Sequence, residues 1–363
     1  MTTGFEALIF LVSVGAITGE RKMDRPVTIK DLAKDLNVSV TTISKALNNH
    51  PDISSKRKRE IVDYAAKVNY TPNMAARNFR KQSSVLVGVI IDDNANYYNA
   101  RVIKGIEICL FRGGYHPIII NHGGDAEKEL TMVKELHRLN VAGVLICPAP
   151  GSERSRDYLK EAGIPYVLIN RYIDRDEDSQ VVVDHENAAY TGVNYLATYG
   201  LKKIFFLNYI PEISTSKDKL SGYKKALNEN NIEFDPEYVI ENCLTHIDGY
   251  ETMNRILCGH APPFSIFCEN DYLALGALCL LQERGYLSPD TVPVLGMGDF
   301  DILSFVKPRL STIGVPKYRL GYKASEILIE LINRKLNSEA TDDEPPEDIR
   351  VVMNAEMIIR ETC

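Results

Sequence analysis

The chain of 363 residues lacks the short motifs on which most catalytic and nucleotide sites are built. It has no GxxxxGKS/T, HExxH or GxSxG and no complete GxGxxG. A P-loop, a zincin centre, a nucleophile elbow and a dinucleotide fingerprint are therefore not written in it. Its seven cysteines (109, 147, 243, 258, 268, 279, 363) form no CxxC pair and no metal-ligand spacing. Buried, reduced thiols and a cytoplasmic setting are expected, without disulfides, zinc or any other cofactor. His116 and His122 stand at opposite ends of one apolar run, too far apart to share a metal. No apolar run is long enough to span a bilayer. The longest, "FEALIFLVSVGAITG" (5–19), is too short and has only Glu6 ahead of it, where an export signal carries positive charge. Residues 1–22 are expected to be a leader upstream of a start at Met23. Low complexity is confined to "NSEATDDEPPED" (337–348), expected as an exposed acidic connection.

Basic charge is also scarce, but only on average. The net charge is -7. Residues 24–82 nevertheless hold twelve Lys/Arg against six Asp/Glu, a surplus of six, while residues 83–363 carry -13. A basic head on an acidic body suits phosphate binding at one end, with the body held off the polyanion.

Inside the head, Ile29, Leu32, Ala33 and Leu36 recur at helical spacing behind Thr28, a helix-capping residue. Ser39 is placed to cap a second helix with Ile43 and Leu47 inward. A third runs from Ser54 or Ser55 with Ile61, Tyr64, Ala65 and Val68 on one face. Each is too short to be stable alone, and together they bury one small core, so a helix-turn-helix braced by a third helix is predicted over residues 23–70. The second helix leaves Thr41, Ser44, Lys45 and Asn48 outward, and Thr28, Ser39 and Arg57 join them as candidate DNA contacts. Alone, that face fits ordinary solvation. Beside "SSKRKRE" (54–60), whose cations including Arg57 oppose the dipole of the third helix, it fits a helix reading base edges in a major groove. "NYTPNMAARNFRKQSS" (69–84) is either a flexible charged linker or a hinge helix over 71–83 that orders on a partner. In the second case Asn73 caps it, Arg77 and Arg80 meet phosphates, and Phe79 is a wedge for a minor groove.

"TIKDLAKDLNVSVTTISKAL", "VNYTPN" and the hinge resemble the DNA-binding head of the lactose/galactose-repressor family of bacterial transcription regulators. The resemblance implies base contacts through Val40, Thr41 and Lys45, with Lys45 where an Arg is usual and Phe79 where the family's lever is Leu. It also implies a repressor acting as a homodimer on a pseudo-palindromic operator of double-stranded DNA, and a small-molecule effector, expected to be a sugar or sugar acid.

After residue 84, near-continuous apolar runs alternate with helical patterns: "SVLVGVII", "HPIIIN", "AGVLIC", "PYVLIN" and "QVVVD", then "KIFFLN", "EYVIE", "FSIFCE" and "VPVLGM". Such runs mark parallel strands covered on both faces. The predicted fold class is thus an all-α head joined by a hinge to an α/β core of two doubly wound halves, like the periplasmic-binding-protein core of the same family. The expected halves are 84–199 plus 317–344 and 200–313 plus 345–363, with "IRVVMN" and "EMIIRE" closing as a hairpin. A cleft between the halves is expected beyond the carboxyl ends of the strands. Its candidates are Asp92, Asn96, Tyr97 and Tyr98 after the first strand, and Arg171 after the fourth. By resemblance to the family's "NDxxALGA" segment, Asn270 and Asp271 join them. Three family positions differ: Lys219 in "KLSGY" replaces an Arg, Asn187 stands in "ENA" for "EDG", and Gly298 in "GMGD" replaces an acid. Fewer acids with a retained cation point to an anionic or less hydroxyl-dependent effector. The rival readings are an importer's solute-binding protein, which needs an export signal and no basic head, and an enzyme, which needs a nucleophile or cofactor loop.

Overall fold

A computed structural model describes residues 27–47, 49–70, 84–174, 177–286, 289–338 and 348–363. The expected leader, Asn48, and the hinge residues Asn73, Arg77, Phe79 and Arg80 lie outside the described residues. The chain divides into two units at Gln82–Ser83.

In the first unit, α1 (Ile29–Asp35), α2 (Val40–Leu47) and α3 (Ser55–Lys67) surround Leu32, Ala33, Ile43, Ala46, Ile61 and Ala65. Thr28 and Asp31 form a reciprocal capping box on α1. The turn to α2 uses Asn37 in the left-handed region (φ 48°), where Asn is among the few side chains tolerated. Ser39 then accepts the Thr42 N–H at 3.0 Å, and the Ser54 hydroxyl caps α3.

The second unit alternates β1 (Leu86–Ile91), α4 (Tyr97–Arg112), β2 (His116–Asn121), α5 (Ala126–Arg138), β3 (Gly143–Ile146), α6 (Glu153–Glu161), β4 (Tyr166–Ile169) and β5 (Gln180–Val183). It continues with α7 (His185–Ala197), β6 (Ile204–Leu207), α8 (Ser214–Glu229), β7 (Val239–Ile240), α9 (His246–Gly259), β8 (Ser265–Cys268), α10 (Asp271–Glu283) and β9 (Val294–Gly298). The last elements are β10 (Ser311–Gly314), α11 (Lys317–Ser338), β11 (Arg350–Met353) and β12 (Glu356–Ile358). Two six-stranded sheets result, ordered β11-β5-β4-β3-β1-β2 and β12-β10-β9-β8-β6-β7. Every pairing is parallel except β10 with β12.

Two expectations about the halves are corrected. The expected terminal hairpin does not form: β11 pairs in parallel with β5 in the first sheet, and β12 pairs with β10 in the second. Asn354-Ala355 is a crossover, not a turn. Helix α7 was expected to close the first half, but it packs on α8 and the second sheet. Gly192 on α7 lies so close to Leu295 and Ile313 that a Cβ would collide with them. The chain thus crosses between halves three times, near Asp184, Val315-Pro316 and Asn354-Ala355. Five cysteines are buried as expected, while Cys258 and Cys279 are exposed.

Candidate DNA-binding face and ligand cleft

On the head, Thr41 is exposed and Ser44 and Lys45 are half-exposed on the same side of α2. The Lys45 ammonium is 2.6 Å from the Asp52 carboxylate, and both side chains reach solvent. Three expected contact residues serve the head itself. Thr28 is spent in its capping box, and Val40 packs against the head core. Arg57 donates to Glu60 at 2.6 Å and to the Leu36 carbonyl at 3.2 Å, tying α3 to the end of α1. Lys58 likewise donates to Asn49. The charge penalty expected at the start of α3 is therefore partly met inside the head. Lys56 and Arg59 are exposed and have no ion-pair partner among the described residues.

In the second unit, loops at the carboxyl ends of the strands of both halves enclose a cavity of about 120 Å³. The placement follows from the parallel topology, which gathers every strand end and every following helix start on one edge. Asp92 follows β1 and Arg171 follows β4. Arg171 donates to Asp92 at 2.9 Å, and the pair is largely buried. Burial opposes the Asp92 charge, but Arg171 and the amide of Asn99 outweigh it and hold its pKa below the ordinary range. Facing them from the second half, Lys219 on α8 donates to Glu269, just past β8, at 2.6 Å, with side chains only 4% and 13% exposed. Asn270 caps α10 through the Leu273 N–H and donates its amide to Glu269.

Between the pairs, the Asn170 side-chain oxygen accepts from Tyr98 at 2.6 Å and contacts His185 Nε2 at 3.3 Å. Burial first, then Lys219 and Arg171, push the His185 pKa well below its usual value, so the ring is neutral. Its Nδ1 and the Nε of Arg171 have no hydrogen-bond partner among the described residues. Tyr98, Tyr272, Phe300, Met297 and Val315 supply apolar walls.

Asp92, Asn96, Tyr98, Arg171, Lys219, Asn270 and Gly298 therefore come together around the cavity. Three expected residues do not. Asn187 is exposed on α7, one turn beyond the cap that its N–H makes with Asp184. Asp271 is fully buried behind the wall, accepting from Thr312 at 2.6 Å and from the Phe300 N–H at 3.1 Å. Burial raises its pKa to about 6. As the first residue of α10 it points back into the helix–sheet interface, where it shapes the Gly298–Phe300 loop. Tyr97 joins the halves instead, with its ring 4.7 Å from that of Phe300 and its hydroxyl accepting from the Asp301 N–H. Glu269, Asn170, His185, Tyr209 and Thr215 line the cavity unforeseen. Glu269, Asn170 and Tyr209 share one legible signal, a polar residue just past an apolar strand run. The cation expected to be left for an anionic effector is not available, because Lys219 and Arg171 are each neutralised by a carboxylate.

Among the described residues no helix is long and apolar enough to cross a membrane. Residues 84–356 match the periplasmic binding proteins and sugar binding domain of the LacI family, and residues 28–73 match the bacterial regulatory proteins of the lacI family. The HTH-type transcriptional repressor PurR of Mannheimia succiniciproducens is 32% identical over 321 residues, 88% of this chain and 96% of that protein. Catabolite control protein A of Priestia megaterium is 28% identical over 310 residues, 85% of this chain and 93% of that protein. Among solved structures, the Lac repressor dimer bound to operator and the anti-inducer ONPF shares the fold with a TM-score of 0.82. It is 22% identical and covers 93% of this chain and 99% of that one. The matched head and the full-length coverage of repressors favour a regulator over an importer's solute-binding protein. The chain belongs to the LacI family of bacterial regulatory proteins, DNA-binding transcription regulators that carry a helix-turn-helix head on an effector-binding core.

Proposed function

We propose that this protein is a cytoplasmic, non-catalytic transcriptional repressor whose hold on a pseudo-palindromic operator is set by an uncharged, hydroxyl-rich effector, a neutral sugar, bound in the cleft. The observation that carries the effector reading is the charge balance of the cavity. Two buried ion pairs, Asp92–Arg171 and Lys219–Glu269, face each other from opposite halves. Each presents both donors and acceptors yet no net charge. A carboxylate beside a guanidinium or ammonium binds a hydroxyl as donor and acceptor at once. The unpartnered Arg171 Nε and neutral His185 Nδ1 add one donor and one acceptor in a buried setting where such groups are normally satisfied. Aromatic walls then suit the C–H faces of a sugar ring. An anion would meet the carboxylates as well as the cations and gain little.

On the head, α2 is the element for the major groove. Thr41, Ser44 and Lys45 read base edges, with Val40 at the edge of that face, while Lys56 and Arg59 meet phosphates. The hinge residues Asn73, Arg77, Phe79 and Arg80 extend the contact into the adjacent minor groove, and Asn48 continues the reading face. Two copies of the chain place two heads on the two half-sites. A ligand gripped from both halves favours one angle between them, and by linkage operator and effector change each other's affinity by the same factor, typically about 1–3 kcal/mol. The test is operator binding by fluorescence anisotropy across salt concentrations, with and without neutral sugars. A steep fall of affinity with salt, on a preferred sequence, and a shift of that affinity by a neutral sugar are expected. Sequence-indifferent binding, or binding moved only by anionic metabolites, would overturn the proposal.

A further inference from the structure

We propose that Asp52 is a specificity-determining residue of the DNA-binding head: its carboxylate aims the Lys45 ammonium along the reading face of α2 and withholds it from phosphates. The inference rests on the reading of α2 as the major-groove element and deepens it. A guanidinium carries a planar fork that fixes its own direction, whereas an ammonium on a four-carbon stem is a point charge without one. Left free beside a duplex, such a cation is drawn to the phosphates of any sequence. A lysine that reads bases therefore takes its direction from a neighbour.

The end of α2 supplies that neighbour. Asn49 adopts the left-handed conformation (φ 54°). Its N–H donates to the Ala46 carbonyl at 3.1 Å, and the His50 N–H donates to the Lys45 carbonyl at 2.9 Å, so the chain folds back over the last turn of the helix. Ile53 then packs against the head core, and the Asp52 N–H donates to His50 Nδ1 at 3.3 Å. Asp52 is carried back beside Lys45, with its carboxylate 2.6 Å from the ammonium. The two side chains are 40% and 56% exposed, and a pair that open to water adds little to stability. The fold does not need it. An ammonium has three N–H donors; Asp52 takes one and leaves two for the O6 and N7 acceptors of a guanine. The pair has no net charge, so a phosphate offers it little. Other acids of the head do different work: Asp31 closes the cap of α1, Asp35 accepts from Tyr64 and Glu60 pairs with Arg57.

The full-length chain is used to select a preferred duplex from a randomised pool, and fluorescence anisotropy compares that duplex with a scrambled one across salt concentrations. In Asp52→Asn the freed Lys45 should steepen the salt slope on scrambled DNA by about 1 per head. At about 0.1 M salt it should raise the affinity of the two-headed dimer for that DNA about tenfold. Affinity for the selected duplex, which loses an aimed contact and gains a phosphate one, should move by less than about twofold, so discrimination falls about fivefold or more. In a Lys45→Met background Asp52→Asn should leave the slope unchanged. So should Asp63→Asn in the parent, which removes an exposed carboxylate of α3 that has no ion-pair partner among the described residues. Asp52→Glu, which keeps the carboxylate, should keep the parent's slope and discrimination. An unchanged slope in Asp52→Asn, or the same steepening with and without Lys45, overturns the inference and leaves the DNA-binding reading standing, since the parent still prefers its selected duplex. If the pool yields no preferred duplex, both fall.

Discussion

Removing one member of the Lys219–Glu269 pair should cost far more than removing both. The two side chains are 4% and 13% exposed and 2.6 Å apart. Glu269→Gln leaves an ammonium buried without its counter-ion, and Lys219→Met leaves a carboxylate whose remaining side-chain donor among the described residues is the Asn270 amide. Breaking a buried pair in this way costs about 3–5 kcal/mol, whereas replacing both charges is often close to neutral. Glu269→Gln keeps one acceptor oxygen toward Lys219 and should fall at the lower end, about 3 kcal/mol. The double variant should return to within about 1 kcal/mol of the parent. The coupling, the double loss less the sum of the two single losses, is then about 5–8 kcal/mol in magnitude, above the roughly 0.5–3 kcal/mol usual for residues in contact because each single variant strands a buried charge. Urea denaturation followed by circular dichroism measures the three losses, and calorimetry with neutral sugars follows ligand binding. Stability should recover in the double variant while sugar affinity does not, because the pair offers a hydroxyl its donor and acceptor together. Single variants that each cost less than about 1 kcal/mol, with no coupling, would show that the ammonium is hydrated and that the cleft is not built on compensated charge.

Glu129 gives a pH signature. Burial raises its carboxyl to about 7 from 4.5 despite the Ala149 N–H bonded to it, so the folded chain keeps a proton that the unfolded chain sheds. Its contribution is present below about pH 4.5, is lost as pH rises toward 7, and amounts to about 3 kcal/mol at most; thermal unfolding of Glu129→Gln should lack that slope. Thr41→Ala should lower the operator-to-random-DNA affinity ratio by about 1–3 kcal/mol for the base it reads. Lys56→Ala and Arg59→Ala should instead weaken all sequences alike and each reduce the salt slope by about 1, all read by anisotropy. Gly222→Ala should destabilise by at least about 1–3 kcal/mol, since its Cβ would collide with the Glu186 carbonyl across the α7–α8 crossing. Gly259→Ala, which meets nothing within 4 Å, should unfold at the same temperature as the parent or slightly above it.

What was legible in the sequence was whatever depends on neighbours along the chain. The strands of both sheets read from continuous apolar runs because a parallel strand buries both faces. The head helices read from spacing and caps, down to Ser39 and Ser54. What failed depended on partners far away in sequence. "QVVVD" and the helix after it look like one half, yet α7 buries Ala189, Val193 and Leu196 in the other half, and no local pattern says on which side of Asp184 the chain has crossed. The terminal runs joined by Asn354-Ala355 look like a hairpin for the same reason. In the cleft, position after a strand found Asp92 and Arg171, while the family resemblance found Asn270 but misplaced Asp271, one residue further on and facing inward. The most instructive error concerns charge. Judged position by position, Gly298 in place of an acid and Lys219 in place of an Arg suggest a cleft with a surplus cation. Glu269, just past β8, supplies the compensating carboxylate across 50 residues of sequence. Buried charge is strongly penalised unless paired. The quantity that a folded cleft must balance is therefore the sum over its wall, and the same sum can be met from different positions along the chain.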